Sequence, residues 1–209
     1  FIGPRPNLLD PKSGGKQKLL EVSQPILSNN DIEKIKRIEN HTSGALKAQT
    51  ISICYDKKNN SKIKFDELLK TICTSIEELI IKKTCNIIIL SDRDVNNEQI
   101  AIPALLATSA VHHYLIKKGL RTKVGLVVET GEARRVHDLC LLAGYGAEAI
   151  NPYLAFYTLS KIIRELSEEI SEEEAYDKYI KSVTKGMLKV MSKMGISTFC
   201  LLYTSDAAD

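Results

Sequence analysis

The sequence lacks any apolar run long enough to cross a bilayer, which removes a helical membrane protein from consideration. It lacks a charge excess of one sign. Lys and Arg number 29 against 26 Asp and Glu, a net charge of +3. The two signs alternate rather than gather, so composition makes no case for nucleic acid. Closely paired cysteines are also missing. Cys54, Cys73, Cys85, Cys140 and Cys200 are scattered, several within apolar runs. That argues against a zinc or iron–sulfur site built from them, and for buried thiols in a reducing compartment. There is no signal peptide and no initiator Met, and Phe1-Ile2-Gly3-Pro4 reads as a chain entered midway. No internal repeat is visible. What remains is 44% hydrophobic and 26% charged over 209 residues, an ordinary soluble profile. It suffices for one sizeable core, or one domain plus part of another.

The most informative stretch is Thr122 to Thr158. Val124 to Val128 is a β-branched apolar run, the pattern of a strand buried on both faces. Thr130 is expected to cap a following helix, with Glu132 at the positive end of its dipole. The helix face is Val136, Leu139, Cys140 and Ala143, stopped by Gly144. Ala147 to Ile150 reads as the next strand, ended by Asn151-Pro152. Strand, helix and strand within this span make a parallel βαβ unit.

Upstream, residues 1 to 25 read as an irregular arm rich in Pro, Gly, Lys and Ser. Ser28 and Asp31 approximate a capping box before the amphipathic Ile32, Ile35 and Ile38. His41 to Gly44 breaks that helix. Thr50 to Tyr55 alternates like a strand, and Asp56 to Lys62 is a polar turn. Phe65 to Lys83 is a helix with Phe65, Leu68, Leu69, Ile72, Ile76, Leu79 and Ile80 on one face. Asn86 to Leu90 is a fully apolar strand, and a helix runs from Pro103 to Gly119. Downstream, Ser160 to Ile170 reads as helical. Ser171 to Glu174 caps a long helix from Glu172 towards Lys193, with Ala175, Tyr179, Val183, Met187 and Val190 on its face. Its lysines Lys178, Lys181, Lys185 and Lys189 read as a solvated face.

The fold class is therefore α/β, with parallel strands alternating with helices in an incomplete barrel or an open sheet, and a long helix following. Right-handed crossovers bring Asp92, Arg93, Glu129, Thr130, Glu132, Arg134, Asn151 and Tyr153 to one end of the sheet. Two readings apply. These residues cap helices and pair with one another, or they line a binding face or channel. Glu129 and Glu132 have the look of paired acid–base carboxylates, but Arg134 and Arg135 stand close enough to neutralise them. His112-His113 is a helical pair with one ring packed and one wet. Gly144-Tyr145-Gly146 is a helix stop, because a phosphate loop would follow a strand. No nucleophile–base set stands out.

Larger patterns carry more. The runs IPALLATSAVHHYLIKKGLRTKVGLVVETGEARRVHDLCLLAGYGAEAINPYLAF and YIKSVTKGMLKVMSKMGIST resemble the glutamate synthase family, large subunit, in order and spacing. SQPILSNNDIEKI and IIILSDRDV resemble it further upstream. The resemblance implies an enzyme that moves the amide nitrogen of glutamine to 2-oxoglutarate, giving two glutamates. It implies an amidotransferase domain, a central domain, an FMN-binding barrel with a 3Fe-4S cluster, and a β-helix. By that resemblance, residues 1–157 are the later part of the central domain and 158–199 the truncated start of the FMN domain. Met191, Ser192 and Lys193 are then the residues expected nearest FMN. Neither cofactor is expected to bind this piece alone. Implied partners are the amidotransferase and FMN domains of the same chain, with a small NADPH-oxidising subunit or ferredoxin as electron donor. Implied locations are the cytoplasm or a plastid stroma. The family pattern stops after Thr198. Residues 200–209, CLLYTSDAAD, resemble a translated sequencing adapter, which would strike Cys200, Asp206 and Asp209 from the counts. Cut off from its barrel, the long C-terminal helix is expected to leave Tyr179, Val183, Met187 and Val190 partly exposed. The rival is a free-standing α/β binding or interaction module without catalysis.

Overall fold

Four short segments become four parallel strands: β1 (Ala48–Ser52), β3 (Ile87–Ser91), β5 (Gly125–Glu129) and β6 (Ala149–Asn151). The computed structural model describes residues 1–5, 18–57, 65–166 and 170–199. The tail from Cys200, residues 6–17 of the arm and most of the Asp56 to Lys62 turn lie outside the described residues. The strands stand side by side in chain order, β1-β3-β5-β6. Ile88 faces Leu126 across one ladder, and Val128 faces Ile150 across the next. The order never reverses, so there is no topological switch point. This is half of a (β/α) barrel pattern, not a doubly wound sheet.

Strand period sorts the side chains onto two faces. Ile88, Leu90, Leu126, Val128 and Ile150 meet the outer helices. Those are α3 (Phe65–Ile81), α4 (Ala104–Lys117), α5 (Val136–Gly144) and α7 (Glu172–Lys193). Ile87, Ile89, Val127 and Ala149 face the other way, where a closed barrel would have its interior. That side is filled by α1 (Asn29–Lys36), which opens with the expected Ser28–Asp31 capping box. Ile32, Ile35 and, just beyond α1, Ile38 are at most 5% exposed. At roughly 1.5–3 kcal/mol each, their burial anchors the helix against the sheet. Pro25 to Leu27 runs beside β6, with Leu27 N donating to Ile150 O and Ile150 N to Pro25 O, both at 2.8 Å.

Several elements differ from the sequence reading. Thr50 to Tyr55 is not one strand. The chain breaks at Ile53, and β2 (Cys54–Asp56) pairs antiparallel with β4 (Gln99–Ala101). Thr130 caps no helix, because α5 starts six residues later, where Asp138 accepts from the Arg135 amide at 3.1 Å. Gly144 ends α5, but the turn is made by Gly146 at φ +109°. α6 (Tyr153–Leu166) begins seven residues before Ser160.

The long helix α7 has the bounds read from sequence, and the expected partial exposure of its face holds for Tyr179 and Val190 but not for Val183 and Met187. Val183 is 6% and Met187 2% exposed, with Ile180 and Met191 also buried. The helix finds its partners within the chain, on α5 and α6. Gly186 permits the closest approach, since a Cβ there would lie 2.4 Å from Val136 Cγ2. A latch ties α7 to α6. The Glu172 carboxylate accepts from Ser160 Oγ and Tyr176 Oη on one oxygen and from Arg164 on the other.

Candidate functional site

The carboxyl ends of β3, β5 and β6 are where such sheets gather ligands. Glu129, the last residue of β5, is fully buried. One oxygen accepts from Ser91 Oγ at 2.6 Å. The other accepts from Lys36 Nζ at 3.0 Å and from Arg93 Nε. Burial alone would raise its pKa. The Ser91, Lys36 and Arg93 bonds outweigh burial and hold the carboxyl below its usual range. Its neutralising partners are thus Lys36 and Arg93, not Arg134 and Arg135, and Arg135 pairs with Asp138 instead.

Asp92 is 3% exposed and fully used. It accepts from Thr130 Oγ1 at 2.6 Å and from the Gly131 amide at 3.0 Å. Thr130 Oγ1 in turn accepts from the Glu132 amide at 3.1 Å, which is why it is unavailable as a helix cap. Asn151 is fully buried, and its Nδ2 donates to Leu27 O and to Asn29 Oδ1. Its Oδ1 has no partner among the described residues. Arg93 lies 4.4 Å above the Tyr153 ring. Burial and the nearby Asp92 carboxylate push the Tyr153 phenol well up.

Six of the eight residues assigned to this face therefore form one connected cluster: Asp92, Arg93, Glu129, Thr130, Asn151 and Tyr153. Glu132 and Arg134 stand aside. Glu132 accepts from the Ala104 amide at 2.8 Å, capping α4 where Pro103 offers no side chain. Arg134 is exposed beside α5. The cluster holds loops together, and its two hydroxyl–carboxylate pairs, Ser91 with Glu129 and Thr130 with Asp92, are buried away from any reactant. Among the described residues, no three His, Cys, Asp or Glu side chains converge to hold a metal. Sequence reasoning missed Lys36, Asn29 and Ser91. Nothing local to α1 signals that both its ends reach the strand termini.

A second cluster, at the opposite end of the strands, also went unread. Arg121 donates from Nε to His112 Nδ1 at 3.0 Å, and from its terminal nitrogens to Val124 O, Gly146 O and Glu148 Oε1. His112 is the packed ring of the pair, and burial with the neighbouring Arg121 charge pushes its pKa down to about 4. As acceptor at Nδ1, the ring is neutral. Glu148 also accepts from the Gly3 amide and lies 3.9 Å from Arg5.

Met191, Ser192 and Lys193 sit at the end of α7. Met191 is buried in the main core, while Ser192 and Lys193 are exposed. This is the carbonyl end of the helix, and the Ser192 carbonyl accepts from the Gly195 amide. Its partial charge is negative, so the only feature here that favours an anion is the Lys193 ammonium. These three residues do not by themselves make a cradle for a flavin phosphate.

A family model described as "Glutamate synthase central domain" matches residues 1–204. The chain belongs to this family. The match spans both the strand-and-helix body and α7. This central-domain chain is 43% identical over 198 residues to the Bacillus subtilis glutamate synthase [NADPH] large chain. That alignment takes in 95% of this chain and 12% of the relative. It is 36% identical over 200 residues to the Schizosaccharomyces pombe glutamate synthase [NADH], covering 95% of this chain and 9% of that one. A ferredoxin-dependent glutamate synthase from Antithamnion is 35% identical over 209 residues, with 94% and 13% covered. The central-domain chain thus spans about a tenth of the length of these relatives. Among solved structures, a flavocytochrome b2 variant with sulfite bound superposes with a TM-score of 0.52 at 12% identity. That superposition covers 86% of this chain and 53% of the neighbour. It fits the sequential parallel strand order found here, the fold of a barrel-like flavin enzyme.

Proposed function

We propose that this chain is the scaffold between two active sites of a glutamate synthase, and that its strand-end face borders the path of ammonia between them. The parent enzyme makes two L-glutamate from L-glutamine and 2-oxoglutarate, with reducing equivalents passing through FMN and a 3Fe-4S cluster. The observation that carries the scaffold reading is the saturation of the strand-end carboxylates. The buried Glu129 and Asp92 spend both oxygens on groups of this chain, and the exposed Glu132 gives one oxygen to the Ala104 amide. They fix loop positions and leave no buried acid or base free for a reactant. The side chains that reach outward from this end, Arg93, Tyr153, Glu132 and Arg134, are the polar rim that faces the neighbouring domains.

The amidotransferase and FMN domains of the same polypeptide are the partners of this rim. A small NADPH-oxidising subunit or ferredoxin acts elsewhere on the enzyme, as electron donor. Residues 158–199 lead into the flavin domain, with Ser192 and Lys193 turned towards it and Met191 committed to the core. The site of action is the cytoplasm, or the plastid stroma in a photosynthetic eukaryote. On this reading, residues 1–199 alone produce no glutamate from glutamine, 2-oxoglutarate and a reductant. Glutamate measured by coupled assay or mass spectrometry stays at the no-enzyme level, and turnover above that level refutes the proposal.

A further inference from the structure

We propose that the outer edge of β1 receives a β-strand from the same parent polypeptide, contributed by a segment beyond these 209 residues. The two edges of the sheet differ. On the β6 side, Pro25 to Leu27 supplies main-chain partners to Ile150. On the β1 side, alternation decides which groups point outward. Lys47 O and Ile53 N bond towards β3, to Asn86 and Ser91, so odd-numbered residues face inward. The main-chain groups of Ala48, Thr50 and Ser52 then face away from the sheet. Among the described residues, their one hydrogen bond is from Gln49 Nε2 to Thr50 O, at the long distance of 3.5 Å.

Proteins whose parallel edges stay open guard them with lysine, proline, a bulge or a covering helix. The strand Ala48-Gln49-Thr50-Ile51-Ser52 has no charge and no proline, and it pairs in unbroken register with β3. Both faces are also incompletely covered, since Gln49 and Thr50 point to opposite sides and both are exposed. Parallel sheets are ordinarily buried on both faces. An uncharged parallel edge, bare among the described residues, is the surface that an added strand completes through main-chain hydrogen bonds. Chain outside the structure is ample, since the curated relatives are several times longer than this chain.

The inference rests on the chain being one part of a longer synthase. Its test reads amide exchange rather than turnover, so failure of the edge and failure of the synthase reading give different results. Hydrogen exchange of the peptide carrying Ala48 to Ile53 is measured by mass spectrometry in the isolated chain and in the full-length parent. The expected result is slow exchange in the parent and exchange at least about tenfold faster in the isolated chain. As a second arm, Thr50→Pro deletes an outward amide without touching a β3 bond. It should leave the isolated chain's Tm within about 3 °C and lower the parent's cooperative transition by more than that. Equal exchange in both proteins overturns the proposal, whether because both are open or because the chain covers its own edge. A concentration-dependent dimer of the isolated chain with protected β1 amides overturns it in favour of a second copy.

Discussion

Arg121→Met is expected to destabilise the isolated chain by about 3–5 kcal/mol, because it strands a buried carboxylate. Glu148 is 5% exposed, and burial already pushes its carboxyl up. Arg5 at 3.9 Å and the Gly3 amide would remain beside it. The same change removes the donors to Val124 O, Gly146 O and His112 Nδ1. Thermal unfolding should show a fall in Tm on the order of 10 °C. The double variant Arg121→Met with Glu148→Leu should recover part of this, since a buried pair replaced whole costs less than a pair broken. A Tm shift under about 3 °C for the single variant would contradict the structure's account of this cluster. His112 adds a pH dependence of definite sign. Its pKa of about 4 in the fold lies below its unfolded value of about 6.5. The unfolded chain therefore binds more protons between these values. This contribution to stability is present above pH 6.5 and lost as pH falls towards 4.

Glu129→Leu is expected to cost about 2–4 kcal/mol, the second large effect, and to act at the other end of the strands. Ser91 would lose its acceptor in a buried place, while Lys36 and Arg93, at 23% and 38% side-chain exposure, can turn to water. That difference makes the cost smaller than at Arg121. The pH signature is that of a carboxyl depressed by folding. Its stabilisation is full above the unfolded value and disappears as pH falls through the lower folded value. Acid unfolding of the variant should therefore be shallower than that of the parent sequence over the acid side of pH 4.5. Coincident acid-unfolding curves would remove Glu129 as the keystone of the strand-end cluster.

Local signals were legible where short-range physics decides. The Ser28–Asp31 cap, the bounds of α7 and the apolar runs of β3 and β5 all follow from neighbours in sequence. That one ring of the His112-His113 pair is packed and the other wet follows from helix geometry, while the structure assigns the packed place to His112. The failures need tertiary information. Ile53 interrupts an alternating run because its carbonyl accepts from Ile102, a pairing no local pattern announces. Asn151-Pro152 looked like a loop, yet proline suits the first turn of a helix, and α6 starts at Tyr153. Thr130 had the right spacing for a cap but a stronger partner in Asp92. At the candidate site, six of the eight residues that the sequence brings to one end of the sheet meet in one cluster there, and Glu132 and Arg134 stand aside. It could not assign their bonds, because Lys36 comes 93 positions before the carboxylate it neutralises. The buried contacts of α7 were missed for a similar reason. Only the position of Val136 shows Gly186 to be a packing groove.

The most direct measurement is the yield of glutamate per glutamine consumed by the intact parent enzyme carrying Arg93→Ala. Arg93 is the solvent-facing clasp of the strand-end cluster, and its loss leaves Glu129 held by Ser91 and Lys36. If this face borders the ammonia path, glutamine hydrolysis continues, ammonia appears in solution, and the yield falls from two glutamates per glutamine towards one. A yield that stays at two, with no free ammonia and a normal rate, contradicts the account.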